Sequence, residues 1–183
     1  MRVISGSLRG LKLIAPEGLG TRPTTDRVKE SLFNIIQPYI PAESVLDLFG
    51  GSGALGIEAL SRGSSSCVFV DVDKNAIDII NKNIEKARLK DRTRVIKGDA
   101  LSYLSSCNDK FDVIFLDPPY NKGFLSKVFE EIYKNNLLNT NGIIVAEGEV
   151  GGETFDDDSK FVCIRHAKYG KTTVSVFKNG DRI

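Results

Sequence analysis

The stretch that decides the fold is residues 44–60, SVLDLFGGSGALGIEAL. Its apolar start is typical of a short buried strand, and glycines at Gly50, Gly51 and Gly53 form a turn that leads into a helix. This order is typical of the first unit of a doubly wound α/β sheet. Glycines let the backbone approach a ligand closely, and the helix N-terminus adds free N–H groups and partial positive charge. The stretch therefore predicts a nucleotide-type ligand after the first strand.

The kind of ligand is indicated by Asp47, which precedes the glycines. Gly51, Gly53 and Gly56 also satisfy the pattern G-x-G-x-x-G, which alone is weak evidence for a nicotinamide site. A carboxylate before the turn suits a ligand with a cationic group better than it suits a pyrophosphate. S-adenosylmethionine carries an ammonium and a sulfonium, so we expect it as the cofactor, with Asp47 at its methionine end. The alternative for Asp47 is a carboxylate that caps the helix or braces the loop.

Two further strand ends carry acids at the same predicted edge of the sheet. Residues 67–73, CVFVDVD, end in Asp71 and Asp73, and Asp71 lies about 20 residues after the glycine turn, where a ribose-binding acid is expected. Asp73 is predicted to cap the helix 74–87. Asp99 follows the third strand, where it can accept from an adenine amino group or cap a helix. The predicted cofactor-binding residues are Asp47, Phe49, Gly50, Gly51, Ser52, Gly53, Asp71, Val72, Asp99 and Ala100.

A fourth motif, D-P-P-Y at residues 117–120, directly follows the apolar run 111–116. The amino group of a nucleobase is a poor nucleophile because its lone pair is delocalised into the ring. A carboxylate and a backbone carbonyl that both accept hydrogen bonds from this group localise the lone pair. The two prolines present carbonyls on a rigid turn, and the tyrosine offers a flat face for a base. The alternative is an ordinary strand-ending turn. The predicted catalytic residues are Asp117, Pro118, Pro119 and Tyr120.

The motifs DLFGGSGALGIEAL, VDVD, GDA and DPPY occur in the order, and near the spacing, of class I S-adenosylmethionine-dependent methyltransferases acting on exocyclic amino groups. Residues 1–13 and 22–34 resemble the start of the bacterial RsmD family, and the resemblance covers nearly the whole chain. It implies methylation of the N2 amino group of a guanine in 16S ribosomal RNA, of the guanine-966 type. It also implies the small subunit, or a late assembly intermediate, as the partner.

The same resemblance, together with the order of the motifs, predicts a Rossmann-like class I methyltransferase fold. We expect an α/β architecture with a central, mostly parallel sheet and a C-terminal antiparallel hairpin made by residues 161–166 and 172–177. A length of 183 residues and 41% apolar content favour one domain. Within it, residues 41–183 are predicted to form the catalytic core.

Residues 1–40 are predicted to be an extension on the RNA side, with a small β-hairpin over 2–14 and a helix over 23–39 that begins at Thr24 or Thr25. The extension contains more basic than acidic residues. A polar cluster at the start of its helix can contact phosphates, and it can equally be simple helix capping. The candidate substrate-binding residues are Arg22, Thr24, Asp26 and Arg27, with Tyr120 from the catalytic turn.

Composition limits the possible classes. A net charge of +1 is not that of a general nucleic-acid binder, and its uneven distribution predicts docking on a structured RNA–protein target, or only a solvated face. The sequence contains no long apolar run, so no membrane segment is predicted. The three cysteines are far apart, which predicts neither a metal ribbon nor disulfides and favours a reduced cytoplasmic location. The protein is expected to be a monomer that needs no metal.

Two competing functions stay open from sequence. One is an amino-methyltransferase that acts on adenine N6 or cytosine N4 in DNA, on another RNA, or on a protein glutamine. D-P-P-Y does not separate these substrates. The other is a non-catalytic RNA-binding assembly module, which would not need the carboxylates Asp47, Asp71 and Asp117.

Overall fold

A computed structural model describes residues 1–15, 26–118, 124–150 and 160–180. Seven strands in these ranges form one sheet in the order β3-β2-β1-β4-β5-β7-β6. The first five strands pair in parallel, while β7 is antiparallel to both β5 and β6. The predicted mostly parallel sheet with a C-terminal antiparallel hairpin is therefore confirmed. The strands are β1 (Ser44–Asp47), β2 (Ser66–Asp71), β3 (Thr93–Lys97), β4 (Phe111–Leu116), β5 (Leu138–Glu149), β6 (Phe161–Tyr169) and β7 (Thr172–Asn179).

Helices cover both faces of the sheet. Alternation along a strand sends successive side chains to opposite faces, so Phe115 joins one hydrophobic cluster and Leu116 the other. The first cluster contains residues of α1, α2 and α3, and the second contains residues of α4 and α5. No helix in the described ranges is long and apolar enough to cross a membrane. The helices are α1 (Asp26–Ile35), α2 (Ala54–Ser61), α3 (Lys74–Ala87), α4 (Ala100–Ser106) and α5 (Phe124–Lys134), with short 3-10 helices at Gln37–Tyr39 and Lys90–Arg92.

The chain reverses its direction across the sheet between β1 and β4. Strand β1 pairs with β2 on one side and with β4 on the other, so the connections that leave β1 and β4 cross to opposite faces. In doubly wound sheets such a switch point leaves a crevice at the carboxyl ends of the strands, where ligands bind. Asp47 ends β1 and Asp117 follows β4, so the fold places both acids beside this crevice.

The predicted N-terminal hairpin is shorter in the structure. Its two arms share one isolated antiparallel bridge, between Arg2 and Lys12, rather than two regular strands. The backbone N–H groups of Ile4 and Ser5 instead donate to the carboxylate of Glu58 in α2, at 2.8 and 3.0 Å. Three backbone hydrogen bonds join the two arms, from the N–H groups of Val3, Gly10 and Leu13 to the carbonyls of Leu11, Val3 and Met1, at 2.9, 2.9 and 3.2 Å. The predicted hairpin therefore forms as a short one, and Glu58 attaches it to α2.

A buried ion network holds this segment and α1 against α2. Lys29 and Glu58 have fully buried side chains, and their charged atoms lie 3.2 Å apart. Arg62 adds a second cation at 2.9 Å from Glu58, and the Lys29 ammonium donates to the carbonyl of Arg2 at 2.6 Å. Burial lowers the pKa of Lys29, which the charge of Glu58 counteracts. The network joins three segments that are far apart in sequence.

The helix predicted over residues 23–39 ends earlier in the structure. The α-helix ends at Ile35, and Gln37–Tyr39 form a 3-10 turn. Pro38 lacks an N–H group and its ring would clash with the carbonyl four residues earlier, which explains the early end. The predicted start of this helix lies outside the described residues.

The last three strands are longer than predicted. The apolar run before Glu147 indicates a strand over residues 142–147, and β5 extends beyond both ends of this range. The hairpin strands extend to Tyr169 and Asn179, and they leave a tight turn at Gly170, whose φ of 62° lies in the left-handed region. Pairing with β7 extends β5 to Glu149, and the sequence alone did not reveal that β5 and β7 are neighbours.

Candidate functional site

The glycine turn after β1 requires its glycines. Gly51 and Gly53 have φ values of 54° and 76°, in the left-handed region where a side chain is strained. At Gly50, a Cβ atom would lie 2.8 Å from the Cδ1 atom of Ile80 in α3, so the turn packs closely on that helix. The turn is thus fixed in place beside the crevice, as the sequence predicted.

The last glycine of the pattern, Gly56, has a different purpose. A Cβ atom there would lie 2.4 Å from the ring of Phe69 and 2.6 Å from the sulfur of Cys67, both in β2. The glycine therefore allows α2 to lie close against the sheet. It contributes to packing rather than to a ligand surface.

Asp47 is almost completely buried, with 3% of its surface exposed. Its Oδ2 atom accepts a hydrogen bond from the Gly56 N–H at 3.0 Å, so the loop-bracing role is real. Burial, together with the negative charges of Asp117 and Asp71, raises the pKa of Asp47 to about 7 against the lowering effect of that hydrogen bond. Among the described residues no Lys or Arg forms an ion pair with Asp47. A cationic ligand would supply the missing opposite charge, and its binding at Asp47 stays a prediction.

Asp71 joins the end of β2 to the glycine turn. Its Oδ2 atom accepts from the Gly51 N–H, and its Oδ1 atom accepts from the Asp73 N–H, both at 2.8 Å. A carboxylate has about four lone-pair sites, so Asp71 can keep both bonds and still accept from ribose hydroxyls. Asp73 accepts from the N–H of Asn75 and caps α3, so its predicted structural role is confirmed.

The predicted adenine side of the site is formed by Val72, Asp99 and Ala100. Val72 is 69% exposed, more than any other large apolar side chain in the described ranges, so its surface is accessible to a flat base. Asp99 caps α4, because its Oδ1 atom accepts from the Ser102 N–H at 2.9 Å. Ala100 is buried in the second cluster. The capping role of Asp99 is therefore observed, while its contact with adenine stays a prediction.

The predicted catalytic acid, Asp117, lies directly after β4 and is partly buried. Burial raises its pKa to about 6. Among the described residues no hydrogen-bond donor contacts its carboxylate, and the following residue, Pro118, is buried. Pro119 and Tyr120 lie outside the described residues. The described residues thus show a partly buried acid with a raised pKa beside the crevice, and its catalytic role stays a prediction.

An aromatic contact connects the loop after β1 to the start of α5. The ring of Phe49, in the connection after β1, packs edge-on against that of Phe124 at a centroid distance of 5.8 Å. Phe124 is the first residue of α5, the helix that follows the D-P-P-Y turn. Packing Phe49 against α5 directs its side chain to the second cluster, so any contact with a cofactor stays a prediction.

The candidate RNA-contacting residues are only partly described. Asp26 accepts from the backbone N–H and the Nε atom of Arg2, at 3.3 and 3.2 Å, so it anchors the start of α1 to the chain's first residues. Arg27 is exposed on α1. Arg22 and Thr24 lie outside the described residues.

Sequence reasoning assigned no function to two buried polar residues near the site. Asn83 in α3 donates to the carbonyls of Ser52 and Ile14, at 2.8 and 2.9 Å, and so connects the glycine turn to the N-terminal extension. Glu147 is 8% exposed near the end of β5, next to the strand that carries Asp117. Glu147 ends an apolar run, as Asp47 and Asp117 do, and this signal could have identified it.

Within the described ranges there is no group of three or more His, Cys, Asp or Glu side chains placed to hold a metal. The single histidine, His166, lies in β6 as predicted, with Nδ1 2.8 Å from the hydroxyl of Ser175. Cys67, Cys107 and Cys163 are free thiols.

Comparison with known proteins gives consistent matches over most of the chain. Residues 1–178 match the model of a family described as conserved hypothetical protein 95. The ribosomal RNA small subunit methyltransferase D of Escherichia coli K12 is 39% identical over 150 residues, which cover 82% of this chain and 75% of that protein. YlbH of Bacillus subtilis is 44% identical over 181 residues, covering 97% of this chain and 98% of that protein. The solved structure of yhhF from Escherichia coli superposes with a TM-score of 0.86 at 33% identity, covering 98% of this chain and 97% of that one.

Proposed function

The chain belongs to the RsmD family of ribosomal RNA methyltransferases, and on that premise we propose that it methylates the N2 amino group of a guanine in 16S ribosomal RNA. The target is of the guanine-966 type. S-adenosylmethionine is the methyl donor. The substrate is the small ribosomal subunit or a late assembly intermediate in the cytoplasm, and the enzyme acts as a monomer. The name of the Escherichia coli relative, a small-subunit RNA methyltransferase, supports this choice of RNA.

The observation that carries the proposal is the state of Asp117. Its carboxylate is partly buried, its pKa is raised to about 6, and no donor among the described residues contacts it. A nucleobase amino group offers two N–H donors and no accessible acceptor on the nitrogen. Binding this group at Asp117 therefore satisfies a desolvated acceptor that is costly to leave unpaired.

The chemistry follows from two acceptors on one turn. The Asp117 carboxylate and the Pro118 carbonyl accept hydrogen bonds from the two N–H groups, which localises the nitrogen lone pair and directs it away from the ring. A pKa of about 6 leaves Asp117 mostly ionised at neutral pH, and closer to the operating pH than that of an ordinary aspartate. The proton released by the amino group leaves through Asp117 or water.

The cofactor would be held by residues at the ends of β1, β2 and β3. Asp47 and the glycine turn bind its methionine end, Asp71 binds the ribose, and Val72 and Asp99 contact the adenine. Two observations support this placement of the cofactor. Asp47 is buried and has no cationic partner among the described residues, and Val72 exposes apolar surface. When bound, S-adenosylmethionine supplies a methyl group activated by a positively charged sulfur.

The RNA must present an unstacked base. A guanine within a helical stack cannot reach Asp117, so the target lies in a loop or is flipped out, with Tyr120 stacking on it. Arg22, Thr24, Asp26 and Arg27 contact the surrounding RNA. Arg27→Ala and Arg22→Ala should each weaken RNA turnover, with Lys127→Ala on the exposed side of α5 as the control. Unchanged turnover by both arginine variants would refute the proposed contact between the N-terminal extension and the RNA.

The activity is tested with methyl-labelled S-adenosylmethionine and small subunits that lack the modification, with naked 16S RNA and duplex DNA in parallel. After digestion, the label should appear in N2-methylguanosine from the subunit RNA. Label in N6-methyladenine or N4-methylcytosine would overturn the substrate assignment. No label in any substrate, despite cofactor binding, would favour the non-catalytic binding module.

A variant tests the proposed acceptor directly. Asp117→Ala should still bind the cofactor but lose turnover by about 10²- to 10⁴-fold, the range typical of a general acid–base residue. Asp117→Asn, which has nearly the same shape but no charge, should fall in the same range. Wild-type turnover by either variant would refute the proposed catalytic site.

A further inference from the structure

The register of the sheet places a second acid beside Asp117. Strands β4 and β5 are parallel, and Leu116 is paired with Ala146. The next residue on each strand is Asp117 and Glu147, respectively, and neighbouring strands lie about 4.8 Å apart. The two acids are therefore neighbours at the carboxyl edge of the sheet.

Alternation places the two side chains on the same face. Phe115 and Val145, two residues before the acids, both belong to the first hydrophobic cluster. Glu147 is paired with Val174 of β7, which belongs to this cluster as well. The charge of Asp117 also contributes to the raised pKa of Asp47, which ends β1 on this face. Glu147 thus lies at the same end of the same face as the candidate catalytic acid.

The position of Glu147 is also unusual for a charged side chain. It is 8% exposed and lies in an interior strand, between β4 and β7. Acids are rarely this buried unless they are paired. Glu147 makes a contact within the protein, but a carboxylate has about four lone-pair sites, so it can accept a further hydrogen bond.

The edge of guanine that carries the N2 amino group has a distinctive pattern. The adjacent ring atom, N1, bears a hydrogen, so two neighbouring positions are donors. In adenine and cytosine the ring nitrogen beside the exocyclic amino group is an acceptor. Two neighbouring carboxylates therefore match the two donors of guanine. With adenine or cytosine, the second carboxylate would face the lone pair of the ring nitrogen, which is repulsive.

From this juxtaposition we infer that Glu147 accepts a hydrogen bond from the N1–H group of the target guanine while Asp117 accepts from its N2 amino group. Glu147 is therefore the residue that selects guanine. This inference rests on the proposed function and adds to it the residue that distinguishes guanine from the other bases.

The test uses 2-aminopurine, which keeps the amino group of guanine but has an acceptor at N1. Small subunits are reconstituted with 16S RNA that carries either guanine or 2-aminopurine at the target position, introduced by splinted ligation. The wild-type enzyme should prefer guanine by on the order of a hundredfold in kcat/KM, because a site built for a donor rejects an analogue that lacks it.

The variant Glu147→Gln distinguishes a role of Glu147 in base recognition from a role in folding alone. The glutamine amide has nearly the same shape and can donate to the acceptor N1, so the preference for guanine should fall below about tenfold. Glu147→Asp retains the carboxylate and should retain the preference. Glu130→Gln, an exposed acid on α5, is the matched control and should behave as wild type. Because the readout is a ratio of two substrates, partial loss of stability does not change it.

Two results would overturn the inference: equal use of guanine and 2-aminopurine by the wild-type enzyme, or an undiminished guanine preference in Glu147→Gln. The wild-type comparison decides on its own if the glutamine variant does not fold. Failure of the proposed function is distinguishable, because wild-type enzyme would then place no label on the N2 atom of guanine in the subunits at all.

Discussion

Lowering the pH should weaken cofactor binding through Asp47. Its pKa is about 7, and a cationic ligand binds the ionised carboxylate. At pH 5.5 only about one molecule in thirty has Asp47 ionised, so the affinity should be about thirtyfold lower than at pH 8, or about 2 kcal/mol. The sign follows from the raised pKa, because protons compete with the ligand as the pH falls through 7.

Isothermal titration calorimetry with S-adenosylmethionine between pH 5.5 and 8 measures this dependence. Asp47→Asn is the matched variant, since its side-chain oxygen can still accept from the Gly56 N–H. We expect weaker binding at pH 8 and a much flatter pH profile for this variant, and its profile also corrects for titration of the ligand. Equal pH profiles for wild type and Asp47→Asn would refute the reasoning.

The same substitution should stabilise the ligand-free protein. The pKa of Asp47 rises from an ordinary value of 3.8 to about 7 on folding, so the unfolded chain ionises first and stability falls as the pH rises between these values. Above pH 7 the cost reaches about 4 kcal/mol at most. Asp47→Asn should therefore be more stable than wild type at pH 8 and should lose this advantage near pH 4, as measured by urea denaturation.

Three further substitutions test the structural account. Gly56→Ala should destabilise the fold by about 1–3 kcal/mol in urea denaturation, because its methyl group overlaps β2, whereas Gly98→Ala, with its nearest atom at 4.0 Å, should cost less. Glu58→Gln should cost about 3–5 kcal/mol, since it leaves the Lys29 charge buried without its acid, and a change under 1 kcal/mol would contradict the network. Val72→Ser should lower cofactor affinity about tenfold with stability changed by less than about 0.5 kcal/mol, and unchanged calorimetric affinity would remove Val72 from the site.

Elements that depend on local signals were predicted well. Helix α3 begins and ends at the predicted residues, because Asp73 caps its N-terminus and its apolar residues keep helical spacing. The glycine turn was recognised because Gly51 and Gly53 occupy backbone conformations that other residues avoid. In each case the deciding interaction joins residues a few positions apart.

Features that depend on distant partners were predicted less well. The N-terminal hairpin forms, but its attachment to α2 was not predicted, because the acceptor Glu58 lies more than 50 residues after its donors Ile4 and Ser5. The length of β5 also depends on pairing with β7, which only the folded sheet reveals. No local pattern in either segment contains this information.

The sequence by itself determined the motifs and their place at strand ends, since a strand, a turn and a helix are specified by neighbouring residues. It also determined the family, because those motifs occur in one order. The tertiary structure alone decided that β5 lies beside β4, which places Glu147 next to Asp117. It alone decided the raised pKa values of Asp47 and Asp117, because desolvation and charge repulsion depend on burial and on distances through space.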